Sequence, residues 1–506
     1  MKPAGFFRPG FTDLLGVFLV VLVVLGGSHR LFNDADAATH VATGCWILEH
    51  RQIPRVDPFS GTHAGSEWFA HEWLADVASA LAWRAASWPG LLAAAAILIA
   101  LAHVLLFRFL VRRGDDVLAA FGAVVAAAAA ASSHWLARPH LFTVLFLVIA
   151  TILVEEIVAR RRGRGALAVL PPLLVLWANV HGGFLVAFVA LGCYLAGALL
   201  TPRGRSLAVP LLLTIAASLA GILINPWGWR LPRHLIVFFA SKGPALRATT
   251  EFAPAAFDDR AGAALLIFLG LCAAGLYGSL RAKSAPRPGT LLALGVTAAM
   301  AFLSIRHVEV LVVFGALVIS GGFSALLRNH ADSPTGALLE TLRAREARAG
   351  GGILLVLLAL LPVLAAAGAL PRAGFDPEQF PVGAVAALKA SGPAPAGPVF
   401  SADVWGGYLI LEWPEARVYV DGRWDMYGDA FFMRYADIYL ARPGWPDGLR
   451  EAGVSLAILP RDAPLAEAMR GSADWELLRA DGPAEVFRRR EPGTSSREPA
   501  NTRTGS

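Results

Sequence analysis

From Gly165 to Pro202 the chain carries no Asp, Glu, Lys or Arg. A helix crosses the hydrocarbon of a bilayer in about 20 apolar residues, so this run has room for two crossings, split at His181-Gly182-Gly183, a turn signal. Such a segment folds in lipid. The rest of the 506-residue chain agrees, being 56% hydrophobic and only 16% charged, against about a quarter charged in an ordinary soluble domain. A simple soluble enzyme is excluded, and the fold class is a polytopic α-helical membrane protein.

Charge-poor runs lie near 12–29, 90–110, 117–134, 139–154, 166–180, 183–200, 206–224, 261–280, 289–304, 308–327 and 351–370, about eleven transmembrane helices. Lys2 and Arg8 precede the first run, and Ala35-Asp36-Ala37 offers a small-residue cleavage site. With so many spans following, the first run reads as a retained signal anchor. Trp68 to Ser87 is long enough to span, but Glu72, Asp76 and Arg84 recur at multiples of four and form a polar stripe, so it reads as an interfacial helix. With that choice the inner loops hold 17 Lys/Arg in 60 residues and the outer loops 11 in 113. The positive-inside rule then puts the N-terminus in the cytoplasm and the C-terminus outside. The formal charge of +6 is accounted for by topology, with no nucleic acid implied. Cys45, Cys193 and Cys272 have neither metal-site nor disulfide spacing.

Three regions follow: a transmembrane domain, 1–370, whose long first outer loop is 28–88; an extracytoplasmic α/β domain, 371–490; and a disordered tail, 491–506, rich in Ser, Thr, Arg and Pro. In the second region Val399-Phe400, Val418 to Val420, Val454 to Leu459 and Glu485 to Phe487 read as strands, with helices near 404–412, 429–440 and 464–471.

The same orientation puts ten of the twelve histidines outside: His29, His40, His50, His63, His71, His134, His140, His181, His234 and His307. In the first outer loop, Asn33-Asp34-Ala35-Asp36 resembles a helix start that sets Asp36 and His40 one turn apart. A helix cap with a local ion pair is the plain alternative. Acids just beyond a span beside an embedded cavity are costly unless used, which favours a working role for Asp36. His71-Glu72-Trp73-Leu74 starts the interfacial helix, and adjacent helical residues face different ways, so at most one of His71 and Glu72 points at a given site. Arg138-Pro139-His140 in the second outer loop offers a guanidinium able to clamp a phosphate, with snorkelling from a helix end as the alternative. Asn179 and His181 add polar groups at the same depth, a later outer loop contains Glu251, and Arg306-His307 opens another span. Trp227 and Trp229 read as interfacial anchors. Acids, histidines and arginines from several loops on one face suit a site that binds an anionic lipid headgroup and takes a proton from an acceptor.

This arrangement resembles the GT-C superfamily of integral-membrane glycosyltransferases, among them the protein O-mannosyltransferases, the oligosaccharyltransferases and the lipid A aminoarabinose transferases. His71-Glu72-Trp73-Leu74 is similar in place to the O-mannosyltransferase His-Pro-Pro-Leu motif, and Arg138-Pro139-His140 to an Arg-Pro-aromatic loop of bacterial members. The adjacent Asp-Glu and the Trp-Trp-Asp-Tyr-Gly motif of some members are missing; Val404 to Tyr408 is a faint echo of the latter. The resemblance implies a glycosyltransferase of the bacterial inner membrane moving sugar from a polyprenyl-phosphate donor to a lipid, glycan or protein on the periplasmic face. Its catalytic base maps onto Asp34 or Asp36. Arg138, His140, Arg306 and His307 would hold the donor phosphate, while His40, His71, Glu72, Asn179, His181 and Glu251 would position substrate. A divalent cation, Mg or Mn, is a candidate cofactor, with Asp36 and Glu72 as its candidate ligands. The competing reading is non-enzymatic: a lipid-linked-sugar transporter, or a scaffold whose outer domain binds polysaccharide or a partner. A transporter should show paired repeats and ionisable groups deep in its spans, and only His103 meets the second condition.

Overall fold

The computed structural model describes residues 6–26, 30–241, 243–328 and 333–490, with Thr250 described by its backbone alone. His29 and the tail from 491 lie outside the described residues. The chain separates into two compact units, residues 1–55 with 68–374, and residues 56–67 with 375–506.

The first unit is helical. Its helices are α1 (Phe11–Gly26), α2 (Asp36–His50), α3 (Trp73–Arg112), α4 (Val117–Ala131), α5 (His140–Val158), α6 (Leu170–Ala178), α7 (Leu185–Leu199) and α8 (Arg205–Gly221). There follow α9 (Arg230–Ser241), α10 (Pro244–Ala248), α11 (Arg260–Arg281), α12 (Pro288–Leu303), α13 (Val308–Leu327), α14 (Pro334–Arg348) and α15 (Gly352–Ala366). Every run expected to span coincides with one of these. By length and composition, 6 helical stretches among the described residues are long and apolar enough to cross a membrane: Trp73–Arg112, Val117–His134, His140–Val158, Gly182–Leu199, Arg260–Arg281 and Ile305–Leu327. The remaining expected spans fall on shorter apolar helices, or on α15, which follows α14 across a 51° bend. This is a multi-pass membrane protein. Inside α3 the helix breaks where Ala86 and Ser87 leave helical geometry and Ser87 takes φ 51° just before Pro89.

Helices α11 and α13 approach through glycines. A Cβ on Gly322 would overlap the Gly275 carbonyl, and one on Gly275 would lie 2.7 Å from the Ile319 Cα. Without a hydrophobic drive inside lipid, such close backbone contact is what holds helices together.

The second unit is a small α/β domain. Its four-stranded sheet has the order β1 (Val399–Ser401), β2 (Leu456–Pro460), β4 (Ala484–Arg489), β3 (Trp475–Asp481), with β1 parallel to β2 and the other neighbours antiparallel. It is accompanied by α16 (Val382–Ser391), α17 (Asp403–Glu412), α18 (Trp424–Tyr439), α19 (Trp445–Glu451) and α20 (Pro464–Arg470). Two local expectations need correction. Residues 418–420 form isolated bridges instead of a strand, Val418 pairing with Val399 and Ser60. Residues 475–481 are a strand, whose exposed, charge-interrupted pattern hid it.

Segment 56–67 is tied into this unit. Gly61 N–H donates to the Val418 carbonyl at 2.8 Å and the Thr62 hydroxyl to the Tyr419 carbonyl at 2.7 Å. Asp57 caps its own turn through the Phe59 and Ser60 amides and pairs with Arg423 at 2.8 Å. Arg423 also grips Asp421 at 2.6 Å. Both carboxylates are fully buried, so the Asp421 to Asp425 turn is structural.

Candidate functional site

The site is built where the segments flanking α2, α5 and α13 meet. Asp34 begins α2 by accepting the Asp36 amide at 2.8 Å. The Ala137 amide donates to the Leu31 carbonyl at 2.9 Å, docking the short loop before α5 on the turn that carries Asp34. Arg138 thereby reaches Asp34 at 2.6 Å, Asp36 at 2.7 Å and Glu251 at 3.5 Å. Glu251 sits in a tight turn held by the Ser304 hydroxyl on its carbonyl, and meets Arg306 at 3.8 Å. Arg306 in turn lies over the Phe252 ring at 4.4 Å. Three carboxylates and two guanidiniums thus share one cluster.

A second cluster centres on Glu72. His40 Nε2 lies 3.5 Å from its carboxylate, His181 Nε2 3.3 Å and His71 Nε2 3.8 Å. His40 Nδ1 is bonded to Asp76 at 2.7 Å. This geometry needs α2 and α3 to touch at Gly44, where any Cβ would overlap the Asp76 carbonyl. His181 Nδ1 accepts the Gly183 amide at 3.0 Å and meets the Thr143 hydroxyl at 2.7 Å, which leaves Nε2 to carry the proton towards Glu72.

The clusters open on one pocket, lined by His40, Glu72, His134, Leu136, Arg138, Pro139, His140, His181, Glu251, Arg306 and Glu309 and enclosing about 360 Å³ of space continuous with solvent. A neighbouring apolar groove lined by Ala78, Leu91, Ala94, Leu98 and Phe142 shares Arg138 and Pro139 with it.

The charges are strongly perturbed. Burial, then the adjacent Asp34, push Asp36 up to about 7 against the pull of Arg138 and His40. Burial opposes the charge on His40, but Asp76 and Glu72 outweigh it and raise the imidazole to about 9. Burial likewise opposes charge on Glu251, and Arg138 and Arg306 overcome it, bringing the carboxyl down to about 2. Burial foremost, then Arg306 and His140, hold His181 well below its ordinary value. Behind the pocket-lining Arg138 there is therefore a carboxylate, Asp36, of near-neutral proton affinity beside fixed positive charge, the pairing that acid–base chemistry requires.

Asp34, Asp36, Arg138, His140, Arg306, His40, Glu72, His181 and Glu251 are all brought to the pocket or onto a group that lines it. Others are not. The Asn179 side chain is spent on structure, accepting from the Trp73 indole and donating to the Val175 and Ile224 carbonyls. His307 does not line the pocket, and His71 reaches it only indirectly, through Glu72 at 3.8 Å. Trp227, read as an interfacial anchor, is only 6% exposed and packs on Phe69, while Trp229 is 64% exposed. Asp76, His134 and Glu309 had no site role assigned from sequence: Asp76 was one member of a polar stripe, and nothing local distinguishes a helix-first-turn Glu from a dipole partner.

Among the described residues no group of three or more His, Cys, Asp or Glu side chains is arranged to hold a metal ion. Of the candidate ligands, Asp36 is engaged by Arg138 and Glu72 by histidines, so the positive charge between Asp34 and Asp36 comes from a guanidinium.

No protein-family model and no curated protein matches the chain. Solved structures do. The archaeal oligosaccharyltransferase AglB from Archaeoglobus fulgidus, in complex with an inhibitory peptide and a dolichol-phosphate, superposes with a TM-score of 0.55 at 13% identity, over 89% of this chain and 69% of that one. ArnT from Cupriavidus metallidurans, bound to undecaprenyl phosphate, superposes with a TM-score of 0.54 at 14% identity; its apo state gives 0.53 at 13%, over 94% of this chain and 97% of that one. At such identities the likeness is one of fold: the chain shares the fold of these two membrane proteins.

Proposed function

We propose that the protein is a glycosyltransferase that takes a sugar from a polyprenyl-phosphate-linked donor and passes it to a lipid, glycan or protein acceptor on the periplasmic face. The observation that carries this reading is the meeting of Asp34, Asp36 and Arg138, with Arg306 joined through Glu251, at one pocket. The neighbours bound to dolichol-phosphate and undecaprenyl phosphate support the class of donor.

The chemistry follows from the charges. A donor phosphate entering the pocket competes with the carboxylates for Arg138, and bidentate binding of phosphate by a guanidinium is strong. Asp36 is then released from its cation, and its raised proton affinity suits it to take the proton of an acceptor hydroxyl. The acceptor oxygen attacks the anomeric carbon, a new C–O bond forms, and the bond to the phosphate oxygen breaks with its electron pair leaving on polyprenyl phosphate. Arg138 and Arg306 stabilise that charge as it develops. Glu72, held by His40 and His181, orients the acceptor.

The test is transfer of a labelled sugar by the purified protein from a panel of polyprenyl-phosphate donors to membrane lipid, glycan and protein fractions. The proposal expects label in one fraction, lost in Arg138→Ala. Absence of transfer from every donor, with the protein folded, contradicts it.

A further inference from the structure

One carboxylate in the pocket has no work in that mechanism. Glu309, in the first turn of α13, is 5% exposed, and its Oε1 is buried without a hydrogen-bond partner. The nearest cationic candidate, His140 Nε2, is 3.5 Å away and already donates to the His134 carbonyl at 2.9 Å. His134 also lines the pocket, and its Nδ1 is a second buried atom without a partner. Leaving such atoms unsatisfied is costly, the more so for a charged acceptor. A ligand that brought an O–H or N–H to Glu309 and a polar atom to His134 would remove both costs.

The position says which ligand. Glu309 follows Arg306 by three residues along one turn, and His140 follows Arg138 by two. The segments that supply both guanidiniums therefore also supply this carboxylate and its imidazole neighbour. In a glycosyl phosphate the sugar is joined to the phosphate by a single bridging oxygen, so a phosphate held at Arg138 and Arg306 brings the sugar ring against this same wall. The Glu72 cluster is built from other segments: α2, the turn leading into α3, and the turn between α6 and α7.

We propose that Glu309, with His134, is the specificity-determining contact for the donor sugar, accepting a hydrogen bond from a ring hydroxyl or amino group. This rests on the donor reading above. It adds that the sugar must present a hydrogen-bond donor there, because a site built to bond a hydroxyl rejects the analogue that lacks it.

The experiment measures binding of two probes to the purified full chain in nanodiscs: undecaprenyl phosphate, and undecaprenyl phosphate carrying a hexose, an amino sugar or their mono-deoxy analogues. Wild type should bind a glycosylated lipid more tightly than the bare one. Glu309→Gln, nearly isosteric, should weaken the glycosylated lipid about 10- to 100-fold, the scale of a hydrogen bond to a charged group, and leave undecaprenyl phosphate unchanged. Against one deoxy analogue wild type and variant should become equal, a coupling that a merely structural role does not produce. Glu309→Asp, which keeps the charge, should lose less than Gln. Equal weakening of both probes, no weakening of either, or a wild type that binds bare and glycosylated lipid alike overturns the assignment to Glu309. A folded wild type that fails to bind even undecaprenyl phosphate instead overturns the donor reading itself, and the sugar contact with it.

Discussion

Replacing Asp36 by Asn should cost activity while adding stability, and the two effects have different pH dependence. The folded carboxyl sits at about 7 against an ordinary 3.8. Below about pH 4 both folded and unfolded chains hold the proton and the group is neutral to stability. Between about 4 and 7 the unfolded chain ionises first, so wild type loses stability as pH rises, and above 7 the full penalty stands. At about 1.4 kcal/mol per unit the shift has a ceiling of ~4 kcal/mol. The Asp36 side chain is 30% exposed and keeps Arg138 at 2.7 Å, which water and pairing discount to about 1–2 kcal/mol. Asn carries no such penalty, and Arg138 retains Asp34 and Glu251. Thermal unfolding at pH 8 should therefore rise for Asp36→Asn by about 1–4 °C, with no change near pH 4. Transfer of labelled sugar should fall by about 10²- to 10⁴-fold, the usual contribution of a positioned base, and the wild-type rate should climb with pH through about 7. A variant that unfolds more readily at pH 8 would make Asp36 an ion-pair strut. Full activity in both Asp34→Asn and Asp36→Asn would remove the catalytic assignment altogether.

Other consequences are simpler. Arg138→Lys keeps the charge but loses the fork that spans Asp34 and Asp36, so donor affinity measured by lipid binding should drop roughly tenfold or more. In the second unit, Arg423→Leu strands Asp57 and Asp421 with no counter-ion. It should destabilise that unit by about 3–5 kcal/mol, read as earlier proteolysis of the region after 375. With Arg423 in place, Asp57 is held below its ordinary value, so this pairing stabilises above about pH 4 and fades as acid titrates it. Gly322→Ala should separate α11 from α13 and lower the thermal stability of the first unit, whereas Gly270→Ala, whose Cβ meets open space, should not.

The helices were legible because lipid demands long apolar runs, and hydropathy reports them directly. Asp36 and His40 were legible through the one-turn spacing of a helix, and Arg138 as a guanidinium in the short second outer loop, Arg138-Pro139-His140, able to clamp a phosphate. Other features depend on distant partners. Asp57 caps a local turn, yet its buried partner Arg423 lies in the C-terminal region, and no local pattern joins them. Asp76 looked like one polar residue among several until Gly44 allowed α2 to meet α3. Asn179 looked available for substrate because a side chain's hydrogen bonds to far-off carbonyls leave no trace in sequence. Strand β3 was missed because its alternation is broken by a bulge between Leu477 and Arg479.

The most direct test of the central claim is the lipid product of a single turnover. The purified protein is mixed with a substoichiometric polyprenyl-phosphate-linked sugar and an acceptor fraction, and free polyprenyl phosphate is quantified by mass spectrometry beside the label transferred. One polyprenyl phosphate released per sugar transferred, abolished in Arg138→Ala and slowed in Asp36→Asn, is what this site requires. Donor that stays intact in the presence of folded wild-type protein and every acceptor fraction would contradict it.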